Sequence, residues 1–345
     1  MAGSRRLALA CLSAIALIAA AIPTVALAAP PAPKAPPPGP TQLGFCSGDD
    51  WEPELAHQGS TVYAVITHYP TTNACDPSAS APNSIDIQKS TDGGRTWTHP
   101  SPVFTGSVGG VSYPAQADPI VEIDASGHVF VSFLGYGNSG GHTDVIVAKS
   151  TDGGTTWTAA KANAKDCKNC DHPKMVITSA GIYLAYSQAT NHFMALSTDG
   201  GSTWTQADVL TNGGNVAFAE GIVADSSGNV YTAWGDCLSS NCTGTPAAIY
   251  RVSKTPAGQL TSTTFVQVAT GAQGPACPFS KCGFAFFGAQ DDIGIDGAGT
   301  LYLAWQDGQV PTNRGGPTIV NVSRSTDHGA TWSLVGRADD KAASG

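Results

Sequence analysis

The chain has 345 residues, of which only 12% are charged, and glycine is abundant at 40 residues. Low charge combined with many turn-forming residues is typical of an exported all-β protein. The formal net charge is −9, and it becomes −11 without the two arginines of the N-terminal leader. This acidic balance argues against nucleic acid or an anionic membrane surface as a partner.

The first 28 residues have the layout of a secretory signal peptide, with basic Arg5 and Arg6, an apolar run at 7–21 and an Ala-x-Ala site at 26–28. The apolar run is too short for a convincing membrane span, so we expect export without stable membrane insertion. Residues 29–50 follow as a proline-rich linker and lead-in, which should be extended and solvated. About 300 residues remain, enough for one large domain.

Eight cysteines remain after the leader, and an even number in an exported chain favours disulfides that staple loops. Proximity suggests four local pairs: Cys46 with Cys75, Cys167 with Cys170, Cys237 with Cys242, and Cys277 with Cys282. For "CKNCDH" at 167–172 a metal site is the alternative, although no second close ligand pair completes it.

The motif Ser-Thr-Asp-x-Gly-x-Thr-Trp occurs four times, starting at Ser90, Ser150, Ser197 and Ser325. Each copy follows a predicted hairpin and a third alternating run, and a fifth unit has the third run but no motif. Four antiparallel strands repeated about every 50–60 residues predict a β-propeller. The predicted third strands lie at 85–89, 145–149, 193–196, 249–253 and 319–323. The five blades are predicted at 51–105, 118–165, 171–215, 219–270 and 290–336, with a tail at 337–345.

The motif itself predicts a turn between the third and fourth strands of a blade. Its aspartate can accept hydrogen bonds from turn amides, its glycine can take a positive φ, and its tryptophan buries a large ring. A catalytic role is disfavoured because four equivalent copies cannot all face one site. The structural residues are Asp92, Trp97, Asp152, Trp157, Asp199, Trp204, Asp327 and Trp332.

These motifs resemble the Asp-box, or BNR, repeats of the sialidase superfamily, over roughly residues 51–335. The resemblance implies a propeller whose boxes lie at the blade periphery, in a family that includes glycosidases and non-enzymatic binding proteins. Sialidases have six-bladed propellers, so the resemblance leaves a six-bladed propeller possible if the chain is incomplete. They also use an arginine triad, for which this chain offers only Arg251 and Arg314, and "WEPEL" replaces their Arg-Ile-Pro-like start. Genuine sialidase chemistry is therefore not predicted.

Polar side chains recur where the first strand of each blade begins, in "WEPEL", "ADPIV", "DHPKM", "AEGIV" and "QDDIG". First strands line the central channel of a propeller, so these side chains should converge at one axial mouth. The catalytic candidates are Asp118, Glu220 and Asp291. The ligand-binding candidates are Glu54 (or Glu52), His172, Asp292, Arg251 and Arg314, with Tyr113 and Phe286 as aromatic platforms.

Three interpretations of this ring stay open. It can solvate the channel, it can supply acid, base or nucleophile to a sugar, or it can hold a structural calcium. No other cofactor is predicted. We expect an exported monomer that binds or acts on an extracellular glycan or glycoprotein, and the alternative is a glycoside hydrolase for a neutral sugar or an exo-α-sialidase-like enzyme.

Overall fold

The computed structural model describes residues 43–44, 49–70, 81–137, 143–163, 167, 170–188, 191–211, 217–238, 246–262, 264–272, 290–308 and 318–338. All regular secondary structure among these residues is β-strand, which confirms the predicted all-β class. No helix long and apolar enough to cross a membrane occurs in this part of the chain.

The strands form five four-stranded antiparallel sheets, blades 1 to 5, in which neighbours along the chain are neighbours in the sheet. Blade 1 contains β1 (Asp49–Gln58), β2 (Thr61–Tyr69), β3 (Ser84–Ser90) and β4 (Ser101–Pro102), and a small hairpin of β5 (Ser107–Val108) and β6 (Val111–Ser112) follows it. Blade 2 contains β7 (Ala115–Ile123), β8 (Val129–Tyr136), β9 (Thr143–Ser150) and β10 (Thr158–Lys161). Blade 3 contains β11 (Cys170–Thr178), β12 (Gly181–Gln188), β13 (Asn191–Ser197) and β14 (Thr205–Thr211).

Blade 4 contains β15 (Ala217–Ala224), β16 (Val230–Cys237), β17 (Ala248–Thr255) and β18 (Thr264–Gly271). Blade 5 contains β19 (Asp291–Ile295), β20 (Leu301–Gly308), β21 (Thr318–Ser325) and β22 (Ser333–Arg337). All five predicted third strands fall within observed third strands. The first strands contact one another in succession, β1 with β7, β7 with β11, β11 with β15 and β15 with β19. Sheets arranged in this way form the predicted propeller.

The hydrophobic core is divided among the junctions between successive blades. One cluster joins blades 1 and 2, for example Val65 with Val131, and a second joins blades 2 and 3 through Phe130 and Leu184. Two more clusters join blades 3 and 4, and blades 4 and 5. Each sheet therefore buries its faces against its neighbours rather than against a separate layer.

The Asp-box turns are held by the hydrogen bonds that the sequence predicts. In blade 2, Asp152 Oδ1 accepts from the backbone amides of Thr155 and Thr156, at 3.1 and 2.9 Å. Its Oδ2 accepts from the Thr156 hydroxyl at 2.6 Å, and the Ser150 hydroxyl donates to Oδ1 at 2.7 Å. The other three boxes repeat this pattern around Asp92, Asp199 and Asp327. The same hydrogen bonds, led by those from Thr203 and Thr331, lower the pKa values of Asp199 and Asp327 to about 2.

The boxes of blades 2, 3 and 5 also dock on the preceding blade. A Cβ at Gly154 would lie 3.6 Å from the Tyr63 ring, one at Gly201 would lie 3.4 Å from the Phe130 ring, and one at Gly329 would lie 3.5 Å from the Tyr231 ring. In blade 4, which has no box, the turn at Gly258 takes the same place. Its amide donates to the Tyr183 hydroxyl at 2.6 Å. The turn between third and fourth strands is therefore an inter-blade clamp, whether or not it carries the motif.

Replacing Tyr183 by Phe removes the hydroxyl that accepts from the Gly258 amide while keeping the ring. We expect a loss of about 1 kcal/mol in the free energy of unfolding, because the Gly258 amide loses its acceptor. Urea unfolding measures the loss. Tyr302→Phe is the matched control, since its hydroxyl lies 3.3 Å from the exposed Asp296 carboxylate, and we expect it to cost less than half as much. Equal losses in the two variants would contradict the clamp.

A histidine lies buried without a polar partner at the junction of blades 3 and 4. His192 is fully buried, and neither ring nitrogen has a hydrogen-bond partner among the described residues. Its ring stacks on Trp234 with centroids 4.8 Å apart. Burial lowers the pKa of His192 from 6.5 to about 3, so the side chain is neutral in the folded protein.

The unfolded chain binds a proton at His192 below pH 6.5, whereas the folded protein does not until about pH 3. The stability that His192 contributes is therefore complete above pH 6.5 and is lost as the pH falls through this window. As the pH falls from 6 to 4.5, we expect the free energy of unfolding of His192→Phe to increase relative to that of the wild type by roughly 1.4 kcal/mol per pH unit. Urea unfolding of both proteins measures this difference. The other titratable groups cancel, because they titrate equally in the two proteins. A difference independent of pH would exclude this role.

A disulfide joins Cys167 and Cys170, whose Cα atoms lie 5.6 Å apart, so the metal-site alternative for "CKNCDH" is wrong. Both sulfurs are consumed in the bond and are not metal ligands. Cys237 is also disulfide-bonded. The remaining predicted partners, Cys46, Cys75, Cys242, Cys277 and Cys282, lie outside the described residues.

Candidate functional site

Three first strands are kinked at the same position. In blades 1, 2 and 3 the residues Glu52, Asp118 and His172 have positive φ angles of 54°, 55° and 51°. Each precedes a proline, and each x-Pro pair faces a single residue of the second strand, which makes a β-bulge. Proline cannot donate to the ladder, so the bulge forms where the ladder is interrupted. Non-glycine residues in this region are strained, and such strain concentrates at functional sites.

The three bulges surround one cavity, the axial mouth. It has a volume of about 230 Å³ and is lined by Glu52–Glu54, Asp118–Ile120 and His172–Lys174. The boxes lie at the other end of the blades, where the Gly93 amide donates to Ser60 O in the β1–β2 turn at 2.8 Å. Six residues of β1 separate Glu52 from this turn, a distance of roughly 20 Å. The mouth and the Asp-boxes therefore occupy opposite faces of the propeller.

A hydrogen-bond network connects blades 1 and 2 at the mouth. Glu52 Oε2 accepts from the Thr67 hydroxyl at 2.8 Å and from the Asp118 backbone amide at 3.1 Å. The Asp118 amide also lies 3.2 Å from Thr67 Oγ1. The Glu52 carboxylate thus holds the strained backbone of Asp118.

Asp118 is the most perturbed acid of the mouth. Burial, followed by the negative charge and hydrogen bonding of Glu52 and the charge of Asp171, raises the pKa of Asp118 to about 8, while His172 opposes the shift. Asp118 consequently keeps its proton to a higher pH than an ordinary carboxyl group does. Asp171 keeps its side chain 48% exposed, with its Oδ1 3.8 Å from His172 Nε2.

A second group of charges lies deeper along the first strands. Burial and the nearby Glu54 raise the pKa of Glu122 to about 7. Burial also raises the pKa of Glu54, with Lys174 opposing the shift and Asp292 adding to it. The charges of Glu54, Glu122, Lys174 and Asp292 influence one another although they belong to four different blades. The first strands of blades 1, 2, 3 and 5 therefore face a common axis.

Aromatic rings border the mouth on the outside. Trp51, Tyr69 and Tyr136 are 41%, 36% and 39% exposed, and the Trp51 and Tyr69 rings meet edge to face at 6.2 Å. Burial and the charges of Asp118 and Asp171 raise the pKa of Tyr136, so its ring lies beside the acidic cavity. Exposed aromatic rings beside polar groups are typical of ligand sites.

The structure places several predicted site residues together. Asp118, His172 and Glu54 line the mouth, as does Glu52. Asp292 is exposed on β19, where its Oδ1 accepts from the Ile293 amide at 2.8 Å, and its charge reaches Glu54. Asp291 is buried on the same strand and is not among the residues that line the mouth. The catalytic and binding roles of these residues stay predictions.

Other predicted residues lie elsewhere. Tyr113 is 2% exposed, and its hydroxyl donates to Asp144 Oδ2 at 2.6 Å, so it is a wall residue between blades 1 and 2 rather than part of the mouth. Arg251 Nε donates to the buried Asp236 at 2.6 Å within blade 4. The backbone of Glu220 lies at a bulge of β15, the position equivalent to the other kinks. Phe286 and Arg314 lie outside the described residues.

The sequence interpretation missed Asp171, Tyr136, Tyr69, Trp51, Glu122 and Lys174. The available signal was the repeated x-Pro pair near the start of three first strands, which predicts an interrupted ladder at one common level. Tyr69 and Tyr136 end second strands, and no local pattern connects them with the mouth. Among the described residues no three His, Cys, Asp or Glu side chains are arranged to hold a metal ion. The structural calcium stays a prediction.

The Asp118→Asn variant tests the raised pKa of Asp118. Because the folded pKa is raised from 3.8 to about 8, the wild type loses stability as the pH rises between these values. The amide cannot ionise, so we expect the variant to match the wild type near pH 4 and to melt at a higher temperature at pH 8. Thermal melts at the two pH values measure this. The same melting difference at both would show that Asp118 ionises freely in the folded protein.

Comparison with known proteins supports the fold. The crystal structure of a protein of unknown function from Dyadobacter fermentans aligns with a TM-score of 0.54 at 15% identity, covering 84% of this chain and 83% of that one. An ulvan lyase of polysaccharide lyase family PL25 aligns at 0.54 and 13% identity, covering 87% and 76%. The α-L-arabinanase of Penicillium chrysogenum in complex with arabinobiose aligns at 0.51 and 12% identity, covering 83% and 81%.

These identities show a shared fold only. No curated protein matches the sequence significantly. A family model described as the BNR repeat-like domain matches residues 52–254, more than half of the chain. This range includes three of the four Asp-boxes and all three x-Pro bulges. The chain therefore belongs to the BNR repeat-like domain family.

Proposed function

We propose that this protein is exported and binds an extracellular glycan at the axial mouth. The observation that carries the proposal is the convergence of three strained x-Pro bulges, from three blades, on one cavity that contains Glu52, Asp118 and His172. Strain repeated at one place has a stability cost of order 1–3 kcal/mol per residue, which a merely solvated channel does not require. The layout of residues 1–28, which is typical of a signal peptide, supports export.

The mouth has the composition that a sugar ligand needs. Carboxylate, imidazole and ammonium groups line the cavity and can hydrogen-bond to sugar hydroxyls. Exposed Trp51, Tyr69 and Tyr136 can stack on the apolar faces of sugar rings. Two of the similar folds described above, the ulvan lyase and the arabinanase, act on polysaccharides, which supports a carbohydrate ligand.

The charge of the mouth favours a neutral sugar over an anionic one. Among the described residues that line the cavity, Lys174 is the single Lys or Arg, and carboxyl groups outnumber it. A sialic acid or uronate carboxylate would need guanidinium groups that bind it in bidentate fashion. Arg251, the described candidate, is paired with Asp236. We therefore do not propose sialidase activity.

A glycoside hydrolase is the second candidate, and the raised pKa of Asp118 favours it. A carboxyl group with a raised pKa is suited to protonate a glycosidic oxygen. Glu52 is hydrogen-bonded to Asp118, so these two cannot flank a sugar at the separation of about 5–10 Å that hydrolysis needs. The exposed carboxylate of Asp171 is the better partner, because its charge reaches Asp118 without a hydrogen bond.

Binding should be measured on a glycan array and by calorimetry with wild type, Asp118→Asn and His172→Ala. We expect at least a tenfold loss of affinity for His172→Ala. Asp296→Asn is the control, because Asp296 lies in the β19–β20 turn at the Asp-box end. Binding unchanged in both mouth variants would overturn the proposal.

Chromogenic neutral glycosides test the second candidate with the same proteins. A hydrolase should turn over at least one of them, should lose more than a hundredfold in kcat in Asp118→Asn, and should lose activity as the pH rises through about 8. The rate falls there because the acid must carry its proton. Glycan binding without turnover of any glycoside would leave a binding protein as the function.

A further inference from the structure

A larger cavity opens beside the mouth, between blades 1 and 2. We name it the outer cleft; it has a volume of about 670 Å³. Its walls include Ser84, Asp86, Phe104, Ser112, Tyr113 and Gln116. A cavity of this size, with apolar walls and a few polar groups, has the character of a ligand site.

The cleft exists because the fourth strand of blade 1 is short. β4 has two residues, which pair with Asp86 and Ile87. The Val103 amide that follows donates to Ile85 O at 2.8 Å, so it is the start of β3, at Ser84, that has no paired fourth-strand neighbour. Gln116 fills part of the gap. Its side-chain Oε1 accepts from the Ile85 backbone amide at 3.2 Å, and its backbone amide donates to Asn83 O at 3.0 Å. This arrangement leaves the space above β4 open while it keeps the edge of β3 hydrogen-bonded.

The outer cleft and the mouth share a wall. Gln116 on β7 lines the cleft, and Asp118, two residues farther along the strand and roughly 7 Å away, lines the mouth. Tyr69 and Tyr136 end the second strands of the two blades at the same level. In the ladders His68, next to Tyr69, is opposite Ser84, and Tyr136 is opposite Ala115. By alternation along β2, Tyr69 shares a face with Tyr63 and Val65, which pack at the junction of blades 1 and 2. Tyr136 shares a face of β8 with Phe130 and Leu134, which pack towards blade 3, so Tyr69 is the ring on the side of the cleft.

We propose that the mouth, Tyr69 and the outer cleft form one track for a neutral oligosaccharide chain of several units. The inference rests on the proposed glycan binding at the mouth and extends it from a single sugar to a polymer. The mouth, at about 230 Å³, is roughly a third of the size of the cleft, so most of a chain's contact area lies outside it.

The chemistry of the cleft sets the class of ligand. Phe104 and the prolines present apolar surfaces for sugar rings. The polar part of the wall includes Ser84, whose hydroxyl donates to the buried Asp86 Oδ2 at 2.8 Å and can still accept from a sugar hydroxyl. No lysine or arginine is among the described residues that line the cleft, and Asp86 carries a carboxylate. An anionic polysaccharide would therefore meet a carboxylate and no Lys or Arg among the described residues of the cleft, whereas a neutral one needs no cationic partner there.

Two substitutions fill the cleft without touching the core. Ser112→Trp and Thr105→Trp each place a large ring at an exposed position in its wall. Val111→Trp is the matched control, because Val111 is the 39% exposed neighbour of Ser112 on the same hairpin and does not line the cleft. Thermal melts first establish that all three fold as the wild type does.

The probes are neutral oligosaccharide ladders of one to six units, of the arabino, xylo, manno, gluco and galacto series, with polygalacturonate fragments as the anionic set. Calorimetry on the wild type should show affinity rising at least tenfold from one unit to four for at least one neutral ladder. Both cleft variants should lose that increment and keep the affinity for one unit. Val111→Trp should behave as the wild type.

The outcomes separate the two levels of the proposal. Binding that does not depend on length, or a length increment retained in both cleft variants, overturns the track and leaves glycan binding at the mouth intact. No binding to any ladder overturns both. Preference for the anionic fragments overturns the assigned ligand class. Binding of peptides in the cleft that none of the sugars displaces does so as well.

Discussion

The structure depends on one packing constraint: a four-stranded blade can bury its faces only against other blades. Every described hydrophobic cluster joins two successive sheets. The turn between third and fourth strands strengthens each junction, since its glycines or its amide meet an aromatic residue of the preceding blade. Blade 4 keeps this contact without an Asp-box, so the contact rather than the motif is the essential element. Regular stacking of this kind brings the first strands towards one axis.

The axis then becomes the place where strain is concentrated. Prolines at 53, 119 and 173 interrupt three ladders at one level, and the residues before them adopt left-handed backbone angles. The surrounding sheets supply the stability that holds these residues. The Glu52 carboxylate adds a direct support, because it accepts from the Asp118 amide. Scaffold and site are thus separated, with the boxes on one face and the strained acids on the other.

Electrostatics give the two faces different properties. The Asp-box carboxylates are exposed and hydrogen-bonded, so their pKa values fall, whereas Asp118 and Glu122 are buried near other acids and their pKa values rise. A carboxyl group is therefore ionised over most of the pH range at one end and keeps its proton to a higher pH at the other. Strand length adds a further difference, since the short β4 opens the outer cleft in one blade.

The sequence by itself determined the repeated parts: the all-β class, the third strands, the turn chemistry of the boxes and the level at which polar residues enter the first strands. These follow from period-two alternation and local turn bonding, which depend on residues close together in the chain. It did not separate Glu52 from Glu54, place Tyr113 in a wall, or reveal Asp171 and the two rim tyrosines. Only the tertiary structure decided these, because burial, bulge direction and the meeting of blades depend on contacts between residues tens of positions apart.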